Sequence, residues 1–183
     1  MQRLRTLGVS FFLSTLAAAS PPLLANPLIS EVMYHAGDTL PEDLRDEWVE
    51  LHNPTAAAID LAGYQFDNGI EFTFPPVSIP AGDYLVVAAD LGEFGANFPG
   101  MTKVVGPWLG KLRNSGEKIT LRDASGAIVD EIEYADEGDW ATRARGELDR
   151  GHEGWTWVAD HDGGGSSLEL INPSLSNKAG QNW

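Results

Sequence analysis

Apolar and polar residues alternate over short stretches along most of the chain, the period of strands with one buried face. The clearest case is residues 118–122, where Ile119 and Leu121 alternate with charged and polar neighbours. Residues 123–126 (DASG) follow, with an Asx side chain, small residues and a glycine, which is the chemistry of a hairpin turn. Residues 127–134 then mix apolar and acidic positions. The pattern predicts a strand, a tight turn and a second strand.

Similar short stretches recur along the chain, with Pro and Gly residues between them. The predicted strands are 28–34, 47–52, 58–61, 64–66, 70–74, 84–89, 103–105, 118–122, 127–134 and 167–171. Residues 41–46 are predicted to hold a helical turn, and no long amphipathic helix is expected. Regular short strands with turn signals at this spacing predict an all-β sandwich or barrel.

Residues 136–165 depart from this pattern, because they are rich in Asp, Glu, Arg and Gly and contain three tryptophans. Disordered linkers are poor in aromatic residues, so an ordered segment is favoured. We predict a long ordered loop that its tryptophans hold in place.

The N-terminal segment has the features of a secretory signal peptide. A positively charged start precedes an apolar run from residue 7 to residue 19 that is too short to span a bilayer. We predict a signal peptide over residues 1–25, cleaved after Ala25; cleavage after Ala19 and an uncleaved membrane anchor are the alternatives. The mature chain is then expected outside the cytoplasm, secreted or periplasmic, with no transmembrane segment.

The predicted mature chain is strongly acidic. The chain has 12 basic and 27 acidic residues, and residues 1–25 contain two of the bases and no acid, which leaves 10 bases, 27 acids and a net charge of −17. This charge repels phosphate backbones and disfavours nucleic-acid binding, and it is compatible with divalent cations. The absence of cysteine excludes disulfides, thiol nucleophiles and thiolate metal sites.

Five segments, in this order, resemble the lamin tail domain family. They are LISEVMY (28–34), EWVELHNPTAAAIDLAGYQFDNG (47–69), FTFPPVSIPAGDYLVVA (72–88), GPWLGKLRNSGEKITLRDASGAIVDEIEY (106–134) and GGGSSLELINP (164–173). The resemblance covers most of the mature chain. It implies one immunoglobulin-like β-sandwich domain over residues 26–183, in the form found in exported bacterial proteins.

The resemblance also implies a class of function. Lamin tail domains of nuclear lamins bind partner proteins and in some cases DNA, whereas bacterial members accompany extracellular hydrolases and nucleases and are thought to serve attachment or substrate contact. The family assigns no catalytic residue. The region after residue 136 looks like an elaboration found in bacterial multi-domain members, so the chain is either a free-standing domain or one unit of a longer surface protein.

Two sequence features are candidates for cation binding. Asp160 and Asp162 stand two apart before three glycines, so both carboxylates could turn inward and bind calcium. Glycines occupy the remaining ligand positions of a calcium loop, and the alternative is a flexible turn that leads into strand 167–171. In strand 47–52, Glu50 is expected either to accept structural hydrogen bonds or to bind a cation, while Val49 and Leu51 face the core.

Tryptophans provide the candidate contact surface. Trp140, Trp155 and Trp157 lie in the predicted loop, where exposed rings could stack on sugars or anchor a protein interface; the alternative is that they close the ends of the sandwich. We therefore expect a non-catalytic, monomeric module that contacts protein or polysaccharide at the cell surface. The alternatives are an accessory domain of an extracellular hydrolase or nuclease, and a calcium-dependent adhesion module.

Overall fold

The computed structural model describes residues 26–37 and 43–183, so the predicted signal peptide lies outside the described residues. Of the helical turn predicted over residues 41–46, the described part, residues 43–46, contains a 3-10 turn. In chain order the strands are β1 (Leu28–Met33), β2 (Trp48–His52), β3 (Ile59–Asp60), β4 (Gln65–Asn68), β5 (Ile70–Thr73), β6 (Ser78–Ile79), β7 (Tyr84–Ala88), β8 (Val104–Val105), β9 (Leu109–Gly110), β10 (Glu117–Arg122), β11 (Ile128–Tyr134), β12 (Thr142–Asp149), β13 (His152–Val158) and β14 (Leu168–Glu169). Helix α1 is Leu91–Asn97, and 3-10 turns lie at Leu44–Asp46, Gly138–Trp140 and Gly180–Asn182.

Two five-stranded sheets pack face to face, as the sequence predicted for an immunoglobulin-like sandwich. The first sheet has the order β14-β1-β2-β7-β8, and the second has the order β11-β10-β4-β5-β9. Neighbouring strands are antiparallel except for β7 and β8, which are parallel. Two smaller ribbons, β3–β6 and β12–β13, complete the described strands. The all-β sandwich is confirmed.

The core lies between the two sheets, where alternation along each strand turns one row of apolar side chains inward. In β2, Val49 and Leu51 are fully buried, as predicted, and Ile119 and Leu121 of β10 face them from the second sheet. Tyr34 and Tyr134 stack with ring centroids 4.6 Å apart at the edge of this core.

The turn between β10 and β11 has the predicted chemistry. One carboxylate oxygen of Asp123 accepts hydrogen bonds from the backbone amides of Ser125 at 2.8 Å and Ala127 at 3.0 Å. Gly126 adopts a φ of 87°, a conformation that residues with a Cβ atom rarely adopt. In the strand that follows this turn, a carboxylate oxygen of Asp130 accepts from the backbone amide of Ile29 in β1 at 2.7 Å and so links the two sheets.

The first sheet has a second apolar cluster on its outer face, formed by Met33, Trp48, Val86, Ala88 and Phe94. Helix α1, which the sequence did not predict, covers part of this face by burying Phe94. Asp90 caps the helix by accepting from the backbone amides of residues 92 and 93 at 2.8 and 2.9 Å. Within residues 26–37 and 43–183, no helix is long and apolar enough to cross a membrane.

The prediction of a long loop over residues 136–165 is wrong for most of that segment. Strands β12 and β13 form an antiparallel hairpin, and Arg150 and Gly151 make its turn with φ values of 50° and 84°. Positive φ at both central residues matches the right-handed twist of a hairpin. The sequence of β13, with alternating Trp155, Thr156 and Trp157, also has high strand propensity.

Candidate functional site

The β12–β13 hairpin arranges four large side chains on one of its faces. Arg143 pairs with Trp157 across the hairpin, and Arg145 pairs with Trp155. Residues two apart on a strand share a face, and directly paired residues share that face too. These four side chains are called the Arg/Trp face below.

The guanidinium groups of this face lie over the indole rings. The Cζ atom of Arg145 is 4.3 Å from the centroid of Trp155, and Cζ of Arg143 is 5.0 Å from Trp155 and 5.4 Å from Trp157. These are cation–π distances, and each such contact at an exposed site contributes about 0.5–1 kcal/mol. The contacts restrict the motion of both arginines and both tryptophans.

The Arg/Trp face is open to solvent. Trp155 is 54% exposed and Trp157 is 43% exposed, and every residue of β13 is exposed. Both arginines are exposed as well. The rings of these two tryptophans therefore do not close the ends of the sandwich, which was the alternative that their sequence positions left open.

Trp140, the third predicted surface residue, has a different environment. It is half-buried, packs against the core, and its ring centroid lies 5.5 Å from that of Trp183. Its carbonyl oxygen lies 2.7 Å from Nε2 of His161. Because Trp140 comes two residues before β12, its packing attaches one end of the hairpin to the sandwich.

The loop that follows the hairpin attaches the other end. His161 is buried, and its Nδ1 atom lies 2.6 Å from the hydroxyl oxygen of Tyr34. Since the carbonyl of Trp140 only accepts, Nε2 of His161 carries the hydrogen, and Nδ1 accepts from the Tyr34 hydroxyl. Burial, and secondarily the charges of Asp162 and Asp136, raise the pKa of Tyr34.

The two aspartates of the predicted calcium motif lie in this attachment loop. Oδ1 of Asp162 is 2.6 Å from Nδ1 of His35, and the backbone oxygen of Asp160 accepts from the amide of Ser166 at 3.2 Å. In the part of the chain that the structure describes, no group of three or more His, Cys, Asp or Glu side chains is arranged to hold a metal ion. The choice between calcium binding by Asp160 and Asp162 and a turn without a metal ion therefore needs a direct test.

Glu50, the other candidate cation ligand, lies on the outer face of the first sheet. Its Oε1 atom accepts from the Ser30 hydroxyl at 2.9 Å, which agrees with the structural hydrogen-bond interpretation. Burial, with a smaller effect from the charges of Glu31 and Glu169, raises the pKa of Glu50 to about 7, although the hydrogen bond from Ser30 acts in the opposite direction.

Arg143 and Arg145 are the residues of the Arg/Trp face that sequence reasoning did not select. The available signal was the matched spacing of Arg-x-Arg and Trp-x-Trp on either side of the Arg-Gly turn. Once that turn is recognised as a hairpin, antiparallel pairing brings the two pairs together.

Comparison with known families agrees with the architecture. A family model for the Lamin Tail Domain matches residues 22–136, a region that contains β1 to β11 and ends before the hairpin. Comparison with the curated proteins finds no match. The Arg/Trp face therefore lies outside the region that the family model matches.

Proposed function

The chain belongs to the lamin tail domain family, and we propose that it is a non-catalytic exported module that binds a macromolecule at the cell surface or outside the cell. Domains of this family are immunoglobulin-like and are usually binding or structural modules without catalytic activity. The proposed contact surface is the Arg/Trp face of the β12–β13 hairpin.

The observation that carries this proposal is the exposure of two tryptophans next to two arginines on one face. Trp155 and Trp157 are 54% and 43% exposed, although tryptophans in folded proteins are on average highly buried. Tryptophan and arginine are also the residues most enriched among those that dominate binding energy at interfaces. A face with these four side chains is suited to contact and has no evident role in the sandwich core.

The rigidity of the face supports the proposal. Cation–π contacts order the four side chains, and the packing of Trp140 and the hydrogen bonds of the buried His161 hold both ends of the hairpin. A surface that is ordered before binding loses little conformational entropy when the ligand binds. The hairpin is therefore a better contact element than a flexible loop of the same composition.

Of the two ligand classes, protein and polysaccharide, a polysaccharide with carboxylate groups fits the chemistry best. Indole rings stack on the apolar faces of sugars, and the guanidinium groups of Arg143 and Arg145 match the two oxygens of a carboxylate. The net acidity of the chain opposes a polyanion, but at physiological ionic strength this repulsion is screened beyond about 8 Å. The exposed guanidinium groups of Arg143 and Arg145 remain accessible to such a ligand.

The proposal is tested by measuring binding of the purified protein to polygalacturonate, a uronic acid polymer, and to a neutral glucan by isothermal titration calorimetry. We expect W155A and W157A each to reduce affinity for polygalacturonate at least tenfold. R143Q/R145Q is expected to reduce affinity for polygalacturonate more than affinity for the neutral glucan.

The matched control is I171A, which removes a 70% exposed apolar side chain outside the hairpin. It is expected to bind like the wild type, and circular dichroism checks that all variants are folded. Equal affinity of W155A, W157A and I171A would contradict the proposed surface. Binding to an acidic protein, with no binding to either polysaccharide, would support the Arg/Trp face as a contact surface but would contradict a polysaccharide ligand.

A further inference from the structure

A groove of about 580 Å³ lies on the outer face of the first sheet, on a different element from the Arg/Trp face. One side of it, the apolar wall, consists of Trp48, Phe94, Phe98 and Met101. Trp48 and Phe94 are buried, whereas Phe98 is 38% exposed and Met101 is 49% exposed. The volume is in the range of ligand-binding pockets, about 300–1,000 Å³.

The opposite side of the groove is a row of three glutamates, called the acidic row below. Glu31 of β1 pairs directly with Glu50 of β2 and with Glu169 of β14. Like charges directly across neighbouring strands destabilise a sheet. The acidic row by itself therefore destabilises the fold. Three carboxylates beside an apolar wall need an explanation other than stability.

No basic side chain in residues 26–37 or 43–183 forms an ion pair with the acidic row. Hydroxyl groups are the hydrogen-bond partners of two of these carboxylates instead. Ser30 donates to Glu50 at 2.9 Å, and Ser167 donates to Glu31. Burial raises the pKa of both Glu31 and Glu50, because half-buried carboxylates lose hydration that no cation replaces. A cation that enters the groove would restore this lost stabilisation.

The groove is elongated. A second cavity of about 250 Å³ adjoins the first and shares Glu50, Val86 and Met101 with it, and it continues toward Asp83 and Lys103. The acidic row is likewise a line across three strands, since β14 and β2 are about 10 Å apart on either side of β1. A linear arrangement fits an extended chain better than a single metal ion, which requires ligands that converge on one point.

We propose that this groove binds an extended basic segment of a partner protein. Arginine or lysine head groups would lie along the acidic row, while the aliphatic stems and neighbouring apolar residues would pack on the apolar wall. The occupant is assigned by charge complementarity and by the pairing of an acidic side with an apolar side. This site does not depend on the Arg/Trp face. It favours a positively charged ligand, whereas the Arg/Trp face favours a negatively charged one.

The test uses a fluorescein-labelled hexapeptide of alternating Arg and Val, and the same peptide with citrulline in place of Arg. Fluorescence anisotropy with the purified protein in 0.15 M salt is expected to show at least tenfold tighter binding of the arginine peptide. E50Q and E31Q/E169Q are each expected to weaken binding at least tenfold. W155A is expected to bind the peptide like the wild type, which separates this site from the proposed function.

The matched control is E71Q, which removes one exposed carboxylate from β5 in the second sheet. Equal loss of affinity in E50Q and E71Q would mean diffuse attraction to an acidic surface and would overturn the proposal. A calcium-dependent rise in melting temperature that E50Q abolishes, without peptide binding, would reassign the row to a metal ion. Dimerisation of the protein that both E50Q and R145Q abolish would reassign the groove to the hairpin of a second copy.

Discussion

The hydroxyl group of Tyr34 donates a hydrogen bond to Nδ1 of His161 over 2.6 Å, between residues 127 positions apart in the chain. Tyr34 follows β1 in the first sheet, and His161 follows the hairpin. The second nitrogen of the same imidazole donates to the carbonyl of Trp140 at 2.7 Å. One buried histidine therefore connects the core with both ends of the hairpin that presents the Arg/Trp face.

We expect Tyr34→Phe to lower the free energy of unfolding by about 1–3 kcal/mol, the cost of leaving a buried polar atom without a partner. The substitution keeps the ring that stacks on Tyr134 and leaves Nδ1 of His161 without its donor. Urea denaturation followed by circular dichroism measures the change. Tyr84→Phe is the control, since Tyr84 is 40% exposed; equal effects of the two substitutions would exclude the proposed role of this hydrogen bond.

The raised pKa of Glu50 leads us to expect that the stability difference between wild type and E50Q depends on pH. Its pKa rises from 4.5 in the unfolded chain to about 7 in the fold, so the folded protein binds more protons between these values. The favourable contribution of Glu50 to the free energy of unfolding is fully present below pH 4.5. It is lost as the pH rises through about 7, because the half-buried carboxyl then ionises. We expect E50Q to melt about 2–4 °C higher than wild type at pH 8, the change that about 1 kcal/mol produces in a domain of this size.

Below pH 4.5, the melting temperatures of the two proteins are expected to converge, because Glu50 is then mostly protonated in both the folded and the unfolded state. Differential scanning calorimetry from pH 4 to pH 8 measures the difference. An offset that is independent of pH would show that Glu50 does not change its protonation in this range.

Calcium binding by the loop after the hairpin has a direct thermal test. Because Asp162 already contacts His35, we expect millimolar calcium to leave the melting temperature of the EDTA-treated protein unchanged. A rise of several degrees would instead indicate a site formed in the folded state. Loss of that rise in D160A/D162A would assign the site to the two aspartates and support a calcium-dependent adhesion module.

The parts of the fold that could be predicted from the sequence are those determined by interactions between residues close together in the chain. The β10–β11 hairpin depends on the Asx turn of Asp123 and on the positive φ of Gly126, both of which are visible in four consecutive residues. The β12–β13 hairpin has an equally local turn. It was missed because both of its faces are largely exposed, so its strands lack the apolar alternation by which the others were identified.

The two proposed sites depend on contacts that are distant in sequence. Trp155 and Trp157 were selected from sequence because large aromatic residues in a polar segment are conspicuous, but their arginine partners required the register of the hairpin. The acidic row required the pairing of Glu31 with Glu169, which are on strands at opposite ends of the described chain. A pattern of local periodicity contains no information about such pairings.

The most direct test of the central claim follows the six indole Nε1–H resonances of the protein by two-dimensional NMR during titration with oligogalacturonate. We predict that the signals of Trp155 and Trp157 shift progressively and saturate, while those of the buried Trp48 and Trp108 remain unchanged. Assignment by the W155A and W157A variants identifies the two signals. Saturable binding that leaves both signals unchanged would contradict the assignment of the Arg/Trp face as the binding surface.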